Sequence, residues 1–164
     1  MAAGALFQSL WLGRAAALLS VGLVLAYLVW TRGAWSSRHP WLEATYRAGL
    51  LVFVLHASEE YLHGFQQRLP ALVGAAPWTD LRFLTFNAVW FGVFATAAWA
   101  LHRRRPLGVL VVLFFALAGG VGNGIGHLLL ALGQGQYFPG AWTAPLCLLV
   151  GGLLLRQLFN GDVT

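Results

Sequence analysis

The sequence predicts an all-α fold, a polytopic membrane bundle of about five transmembrane helices. Of the 164 residues, 59% are hydrophobic and 9% are charged, whereas about a quarter of the residues in soluble domains are charged. Apolar runs long enough to cross a hydrocarbon core of about 30 Å, roughly 20 residues each, occur five times along the chain. Connections that contain proline, glycine or serine separate these runs, so each apolar segment ends for a local chemical reason.

The five predicted helices follow one another with short connections. They cover residues 6–30, 46–65, 81–101, 107–132 and 141–159. Every connection contains proline, which ends helices because it has no amide hydrogen; the prolines are Pro40, Pro70, Pro77, Pro106 and Pro139. The whole chain, residues 1–164, is predicted to be one transmembrane domain, in which residues 1–45 form an N-terminal helix and loop.

The first predicted helix also resembles a cleaved signal peptide. Ala34, Trp35 and Ser36 form a small-x-small triplet after an apolar run, as at a signal cleavage site. Cleavage would leave Arg32 and Arg38 on the exported side of the membrane, which positively charged loops avoid. We therefore favour a first span that is retained.

The distribution of arginine predicts the orientation of the bundle. With five spans, the first loop, the third loop and the C-terminus lie on the same side of the membrane. That side collects Arg32, Arg38, Arg47, Arg103, Arg104, Arg105 and Arg156, and the other side has Arg14, Arg68 and Arg82. Positively charged loops stay in the cytoplasm, so the N-terminus is predicted outside and the C-terminus in the cytoplasm.

Composition also excludes two classes of site. The basic residues are scattered arginines, and no clustered basic face of the kind that binds nucleic acid is evident. Cys147 is the single cysteine, which excludes an internal disulfide framework and a cysteine-rich metal site.

The second predicted helix carries four ionisable side chains in an otherwise apolar segment: His56, Glu59, Glu60 and His63. At 100° per residue they lie within an arc of about 100° on one face. Each such group costs about 2.5 to 3.5 kcal/mol at the centre of a bilayer. We therefore expect these side chains to meet polar partners from other helices.

Two other predicted helices offer partners at the same depth. Asn123 and His127 share one face of the fourth span, and Asn87 lies near the start of the third. With a rise of 1.5 Å per residue, His127 and Asn87 lie about 8 to 9 Å below the outer ends of their helices, as Glu59 and Glu60 do. Glycines 120, 122, 124 and 126 form small-xxx-small pairs that let helices approach closely.

Histidine and carboxylate groups at one depth predict a divalent metal site, with zinc favoured and iron or manganese as alternatives. His56 with Glu60, and Glu59 with His63, are spaced i, i+4, at which two side chains of one helix can hold one ion. The predicted ligands are His56, Glu59, Glu60, His63 and His127. A carboxylate beside the ion would act as general base, so Glu59 and Glu60 are also candidate catalytic residues.

The segment from His56 to Glu60 resembles the signature of the HXXEE family of bacterial integral membrane proteins. Asn123-x-x-x-His127, followed by Tyr137-x-Pro139-Gly140, is similar to that family's second signature. The resemblance covers residues 46–160. It implies a multi-pass protein of the bacterial inner membrane, with a presumed metal-binding or enzymatic role and no assigned reaction.

These features favour a metal-dependent hydrolase or related lipid-modifying enzyme that acts near the outer leaflet. The cytoplasmic halves of the spans contain almost no polar side chain, which argues against a conduction path. Arg68 and Arg82, together with Arg14, are placed to hold the phosphate or carboxylate of a membrane lipid or lipophilic substrate. Tyr137 would cover the site or position a polar head, and Asn87 and Asn123 would support the ligands.

Two alternatives remain open at the level of sequence. The first is metal-free acid/base chemistry by an isomerase or cyclase of sterols or terpenoids, in which glutamate and histidine move protons. The second is a non-enzymatic membrane binding or assembly protein, whose polar layer fixes the packing of helices. Chelation would separate the first from a metalloenzyme, and Glu59→Gln with Glu60→Gln would test the second.

Overall fold

Helices alone build the part of the chain that this computed structural model describes, residues 16–33 and 35–160. Six helices and no strand occur in that part, which confirms the all-α prediction. Arg14 lies outside the described residues. The helices are α1 (Ala16–Thr31), α2 (Leu42–Leu62), α3 (Phe65–Leu72), α4 (Asp80–His102), α5 (Pro106–Gln134) and α6 (Ala144–Phe159).

Helix α3 was not expected, because Pro70 and Gly74 favoured an irregular connection after the second predicted span. The turn between α2 and α3 is made by Gly64, whose φ of 77° lies in the left-handed region that glycine tolerates. Pro70 cannot donate to the carbonyl of Gln66, one turn before it. The amide of Trp78 donates to that carbonyl instead, at 2.9 Å. The proline is therefore tolerated inside the helix.

Helix α5 changes its hydrogen-bonding pattern in the middle. Residues Phe115–Gly122 form π-helical turns between two α-helical parts, Pro106–Phe114 and Asn123–Gln134. Such wide turns are rare and frequently lie at functional sites. Here they come directly before the segment that carries His127.

Helix α6 packs closely on this π-helical segment. A Cβ atom added to Gly120 would lie 2.6 Å from the Cα atom of Gly151, and one added to Gly124 would lie 2.8 Å from the carbonyl oxygen of Ala144. Of the two predicted small-residue pairs, 120 and 124 are thus the pair that faces a helix. A Cβ on Gly126 would meet no heavy atom within 4 Å.

An apolar core fills the bundle between α2, α4, α5 and α6. Tyr46 is fully buried in it, and its hydroxyl donates to the carbonyl of Phe94 at 3.0 Å. Among the described helices, α4 and α5 are long and apolar enough to cross a membrane. The five-span bundle and its orientation stay predictions.

Candidate metal centre

Two histidines and one glutamate converge where α2 faces the second half of α5. The Oε1 atom of Glu60 lies 3.1 Å from Nε2 of His127 and 3.6 Å from Nε2 of His56. One ligand atom from each of the three side chains lies within 4.8 Å of the others. Exposed fractions of 2% for both histidines and 6% for the glutamate show that the three side chains are buried from bulk solvent. We call these three residues the His–Glu–His cluster.

The ring of His127 is oriented from the loop between α5 and α6. Its Nδ1 atom lies 2.6 Å from the carbonyl oxygen of Pro139. A carbonyl can only accept a hydrogen bond, so Nδ1 carries a proton and donates. In the neutral ring, Nε2 therefore has a free lone pair, and this lone pair faces Glu60.

The ring of His56 is oriented through a hydroxyl. Its Nδ1 atom lies 2.7 Å from Oγ1 of Thr143, and that hydroxyl donates its single hydrogen to Oε2 of Glu59 at 2.5 Å. Because the hydroxyl hydrogen is used, Oγ1 must accept from His56, and Nδ1 carries a proton. The Nε2 atom of His56 is then also an acceptor, and it has no hydrogen-bond partner among the described residues.

The three atoms that converge in the cluster are therefore all hydrogen-bond acceptors: Nε2 of His56, Nε2 of His127 and Oε1 of Glu60. None of them carries a hydrogen atom. Two imidazole lone pairs and a carboxylate oxygen at close range repel one another unless a cation or an added proton lies between them. Donors about 2.0 to 2.2 Å from a tetrahedral zinc ion lie roughly 3.3 to 3.5 Å apart. The two separations that include Glu60, 3.1 and 3.6 Å, bracket that distance, and all three ligand atoms lie within 4.8 Å of one another. The chemistry of the three donors thus suits a divalent ion.

Histidine ligands of metals characteristically donate their second ring N–H to a carbonyl or a carboxylate, which fixes the ring and strengthens the ligand. His127 does so directly, to the carbonyl of Pro139. His56 does so through Thr143 to Glu59. The Nδ1 contacts of both rings are therefore compatible with metal ligation through Nε2.

Glu59 anchors the loop between α5 and α6. Its Oε1 atom accepts hydrogen bonds from the hydroxyl of Tyr137 at 2.8 Å and from the amides of Gly140 and Trp142 at 3.1 and 3.0 Å. Its Oε2 atom accepts from both the amide and the hydroxyl of Thr143. These five donors occupy the carboxylate, so Glu59 is placed as a support of the cluster and not as one of its converging ligand atoms.

Tyr137 covers Glu59 from the loop, with its hydroxyl 2.8 Å from Oε1 of that carboxylate. Burial, followed by the hydrogen bond to Glu59 and the charge of that carboxylate, raises the pKa of Tyr137 above its ordinary range. The hydroxyl therefore remains protonated and donates to the carboxylate.

Gly140 lets the loop approach both imidazole rings. Its φ of 93° is in the left-handed region. A Cβ atom there would overlap the ring of His127 and lie 2.9 Å from Cε1 of His56. A side chain at this position would therefore displace the two rings.

His63, predicted as a ligand, lies apart from the cluster. Helix α2 ends at Leu62, and Nδ1 of His63 donates to the backbone carbonyl of Glu59 at 2.9 Å. The ring packs edge-on against Tyr137 and Trp142, with centroids 5.4 and 5.0 Å away. His63 therefore packs with Tyr137 and Trp142, the two loop residues that donate hydrogen bonds to Glu59.

The remaining predicted residues contribute no ligand atom to the cluster. The side-chain amide of Asn87 donates to the carbonyl of Phe83 within α4. Asn123 is half-buried one turn before His127. The guanidinium of Arg68 lies over the ring of Phe138, 5.3 Å from the ring centroid. The guanidinium of Arg82 lies over the ring of Trp78, 5.9 Å from its centroid.

A small cavity lies next to His56. Its volume of about 10 Å³ is close to the space that one water molecule needs. The walls are apolar except for His56 and the thiol of Cys147. Phe53 is one of the residues that line it.

Sequence reasoning missed the contributions of Thr143, Pro139 and the amide of Gly140 to the cluster. The Tyr-x-Pro-Gly segment was noted as a motif, but its carbonyl and amide contacts follow from the path of the loop and not from residue type. Thr143 lies 87 residues from the histidine it contacts. No short spacing rule connects two such positions.

The fold and the site together define an all-α protein in which a histidine–glutamate–histidine cluster is buried between helices and held by a loop. The chain belongs to the HXXEE family: a family profile described as a protein of unknown function with an HXXEE motif matches residues 47–155. This confirms the resemblance. Comparison with curated proteins and with solved structures gave no significant match.

Proposed function

We propose that the chain is a multi-pass membrane protein and that its His–Glu–His cluster binds a divalent metal ion, most favourably zinc. The observation that carries the metal site is the orientation of its donors. Both Nδ1 atoms donate to loop groups, so both Nε2 lone pairs and the Glu60 oxygen face one point with no hydrogen between them. Iron and manganese accept the same donors.

Exposed apolar side chains support the membrane part of this proposal. Leu51, Leu107, Leu129 and Leu149 each expose more than half of their surface. Large contiguous apolar surfaces are unfavourable in water and indicate a membrane or a partner. Together with the lengths of α4 and α5, they support a membrane protein. The five apolar runs of the sequence favour five spans, and the arginine distribution favours an N-terminus outside and a C-terminus in the cytoplasm.

We propose further that the protein is an enzyme, a hydrolase or related lipid-modifying enzyme acting on a lipophilic substrate near the outer leaflet. A bound divalent ion would supply Lewis acidity and make water a stronger acid. Glu60 is the carboxylate that faces both imidazoles. It would therefore serve both as a metal ligand and as the general base that accepts a proton from water. Glu59 holds the loop, and Tyr137 keeps that carboxylate hydrogen-bonded. Arg68 lies near the loop and could contact an anionic head.

Metal analysis of purified protein tests the site. We expect about one equivalent of zinc, iron or manganese, and its loss in His56→Ala, Glu60→Gln and His127→Ala. His102→Ala is the matched control, because that histidine is exposed and paired with Glu43 at 3.2 Å; it should retain the metal. Protein that folds but binds none of these metals at micromolar concentration would contradict the proposal.

A second candidate function rests on the 3.1 Å separation between Glu60 and His127, which also suits a hydrogen bond that shares one added proton. Such a pair could donate and remove protons without a metal, as an isomerase or cyclase of sterols or terpenoids would require. The two candidates differ under chelation. A metal site predicts a lower melting temperature after dialysis against EDTA, restored by zinc, whereas a proton-sharing pair predicts no change.

A further inference from the structure

A groove between α2 and α4 opens on the outside of the bundle. Its volume is about 380 Å³, which is within the range of pockets for small ligands. Helix α2 contributes residues such as Phe53 and Ala57, and α4 contributes Phe83, Leu84 and Phe91. The groove therefore lies beside the cluster, on a different face of α2.

The polar side chains in this groove are already engaged. The hydroxyl of Ser58 donates to the carbonyl of Val54 at 2.8 Å, and the side-chain amide of Asn87 donates to that of Phe83. The hydroxyl of Tyr61 points to Asp80 at 3.4 Å. A ligand in the groove would thus meet chiefly apolar surface, which suits a hydrocarbon chain better than a peptide or a sugar.

Phe53 belongs to both the groove and the small cavity at His56. Its ring lies against two rings of α4, stacked on Phe91 with centroids 6.3 Å apart and edge-on to Phe94 at 5.5 Å. The cavity on the other side is lined by His56 and Cys147. One aromatic side chain is therefore shared by the walls of the groove and of the cavity.

We infer that the groove binds one hydrocarbon chain of a membrane lipid and that Phe53 controls its access to the cavity at His56. The lipid occupant rests on the membrane part of the proposed function, and the role of the route in catalysis rests on its enzyme part; neither depends on which metal is bound. Access through the loop on the other side would require breaking the hydrogen bonds of Glu59. A rotation of the Phe53 ring breaks no hydrogen bond, so the lateral route is favoured.

Cys147 reports on this route, because it is the single cysteine of the chain and lines the cavity. We expect Phe53→Ala to raise the rate at which N-dodecylmaleimide labels Cys147 at least tenfold in detergent-purified protein. A maleimide carrying a quaternary ammonium group should gain much less. Phe91→Ala is the matched control, since Phe91 lines the groove without lining the cavity. Equal rates in the two variants, at matched melting temperatures, would overturn the role of Phe53.

Photolabelling tests the occupant without altering Phe53. In vesicles of phosphatidylglycerol with a diazirine on one acyl chain, we expect crosslinks on residues 83–91 and 53–62. Ala57→Trp should reduce them at least fivefold, whereas Leu149→Trp, on an exposed position of α6, should not. Crosslinks unaffected by Ala57→Trp would overturn the groove as a lipid site. Metal content, measured on the same samples, reports separately on the proposed function.

Discussion

At the residue scale, Glu59 and Glu60 are neighbours on α2 whose carboxylates face different partners. Glu60 points to two imidazole nitrogens, while Glu59 accepts hydrogen bonds from five donors of one loop. Successive residues of a helix are 100° apart, so adjacent acids can meet two different elements. In the His-x-x-Glu-Glu motif, the second glutamate therefore faces the two histidines, and the first glutamate holds the loop.

Thr143 should control metal affinity although it lies outside the ligand set. Thr143→Val keeps the shape of the side chain but removes the hydroxyl between His56 and Glu59. We expect metal affinity to fall about 10- to 100-fold, as for other groups that orient a ligand histidine. Competition with a fluorescent chelator measures it.

Thr143→Ser should restore most of that affinity, because it restores the hydroxyl. Thr96→Val is a control for loss of a hydroxyl elsewhere, since Thr96 bonds within its own helix to Gly92. An affinity in Thr143→Val equal to that of the wild type would contradict the orienting role.

Gly140 and Gly135 provide a matched pair for the loop. Both have positive φ, but a Cβ at Gly135 would meet nothing within 4 Å, whereas one at Gly140 would overlap His127. Both alanine variants should lose about 1 to 3 kcal/mol of stability through backbone strain. Gly140→Ala should in addition lose metal binding at least tenfold in a chelator titration. Similar affinities in the two variants would show that the approach of the loop is unimportant.

The sequence indicated part of this site for a clear physical reason. His56 and Glu60 converge because they lie one turn apart inside a regular helix. The same spacing suggested Glu59 with His63, but α2 ends before His63, whose φ of −105° and ψ of 13° leave the helix. Angular spacing is meaningful only while the helix continues, and the sequence does not fix its last residue.

At the element scale, α5 and α6, which the loop of the site joins, are in close backbone contact. Gly120 and Gly151 bring the two backbones together at the π-helical turns. Residue spacing on an ideal α-helix cannot predict such turns, so the facing of His127 toward Glu60 was not derivable from periodicity alone. The glycine pattern did indicate a close approach of helices.

Filling this contact should destabilise the protein. Gly120→Val places atoms where Gly151 lies and should cost about 1 to 3 kcal/mol or more, measured by thermal unfolding in detergent. Gly126→Ala is the control, because a Cβ there meets no atom; it should be neutral or gain up to about 1 kcal/mol. A fully stable Gly120→Val variant would be inconsistent with the observed packing.

At the scale of the whole molecule, the helical order was predictable because apolar run lengths and prolines are properties of single segments. The described helices α2, α4, α5 and α6 begin and end within a few residues of the predicted spans. Helix α3 was not predictable in this way, since it depends on the amide of Trp78 reaching back to Gln66.

The orientation can be tested with reporters. A green fluorescent protein fused after residue 164 should fluoresce, because the arginine distribution places the C-terminus in the cytoplasm. Alkaline phosphatase fused after Ala75, between α3 and α4, should be active, because that loop is expected outside. The opposite pattern would reverse the topology, and activity of both reporters at both positions would contradict a defined orientation.

The five donors that Glu59 accepts from lie 78 to 84 residues further along the chain. A ribosome makes them long after α2 has emerged, so for most of synthesis this acid lacks the loop that later surrounds it. The carboxylate of Glu59 on α2 thus gains its hydrogen-bond donors only when the last quarter of the polypeptide has been made. Chains truncated before Tyr137 leave the Glu59 carboxylate without these donors. They should therefore fold incompletely and be degraded by quality-control proteases.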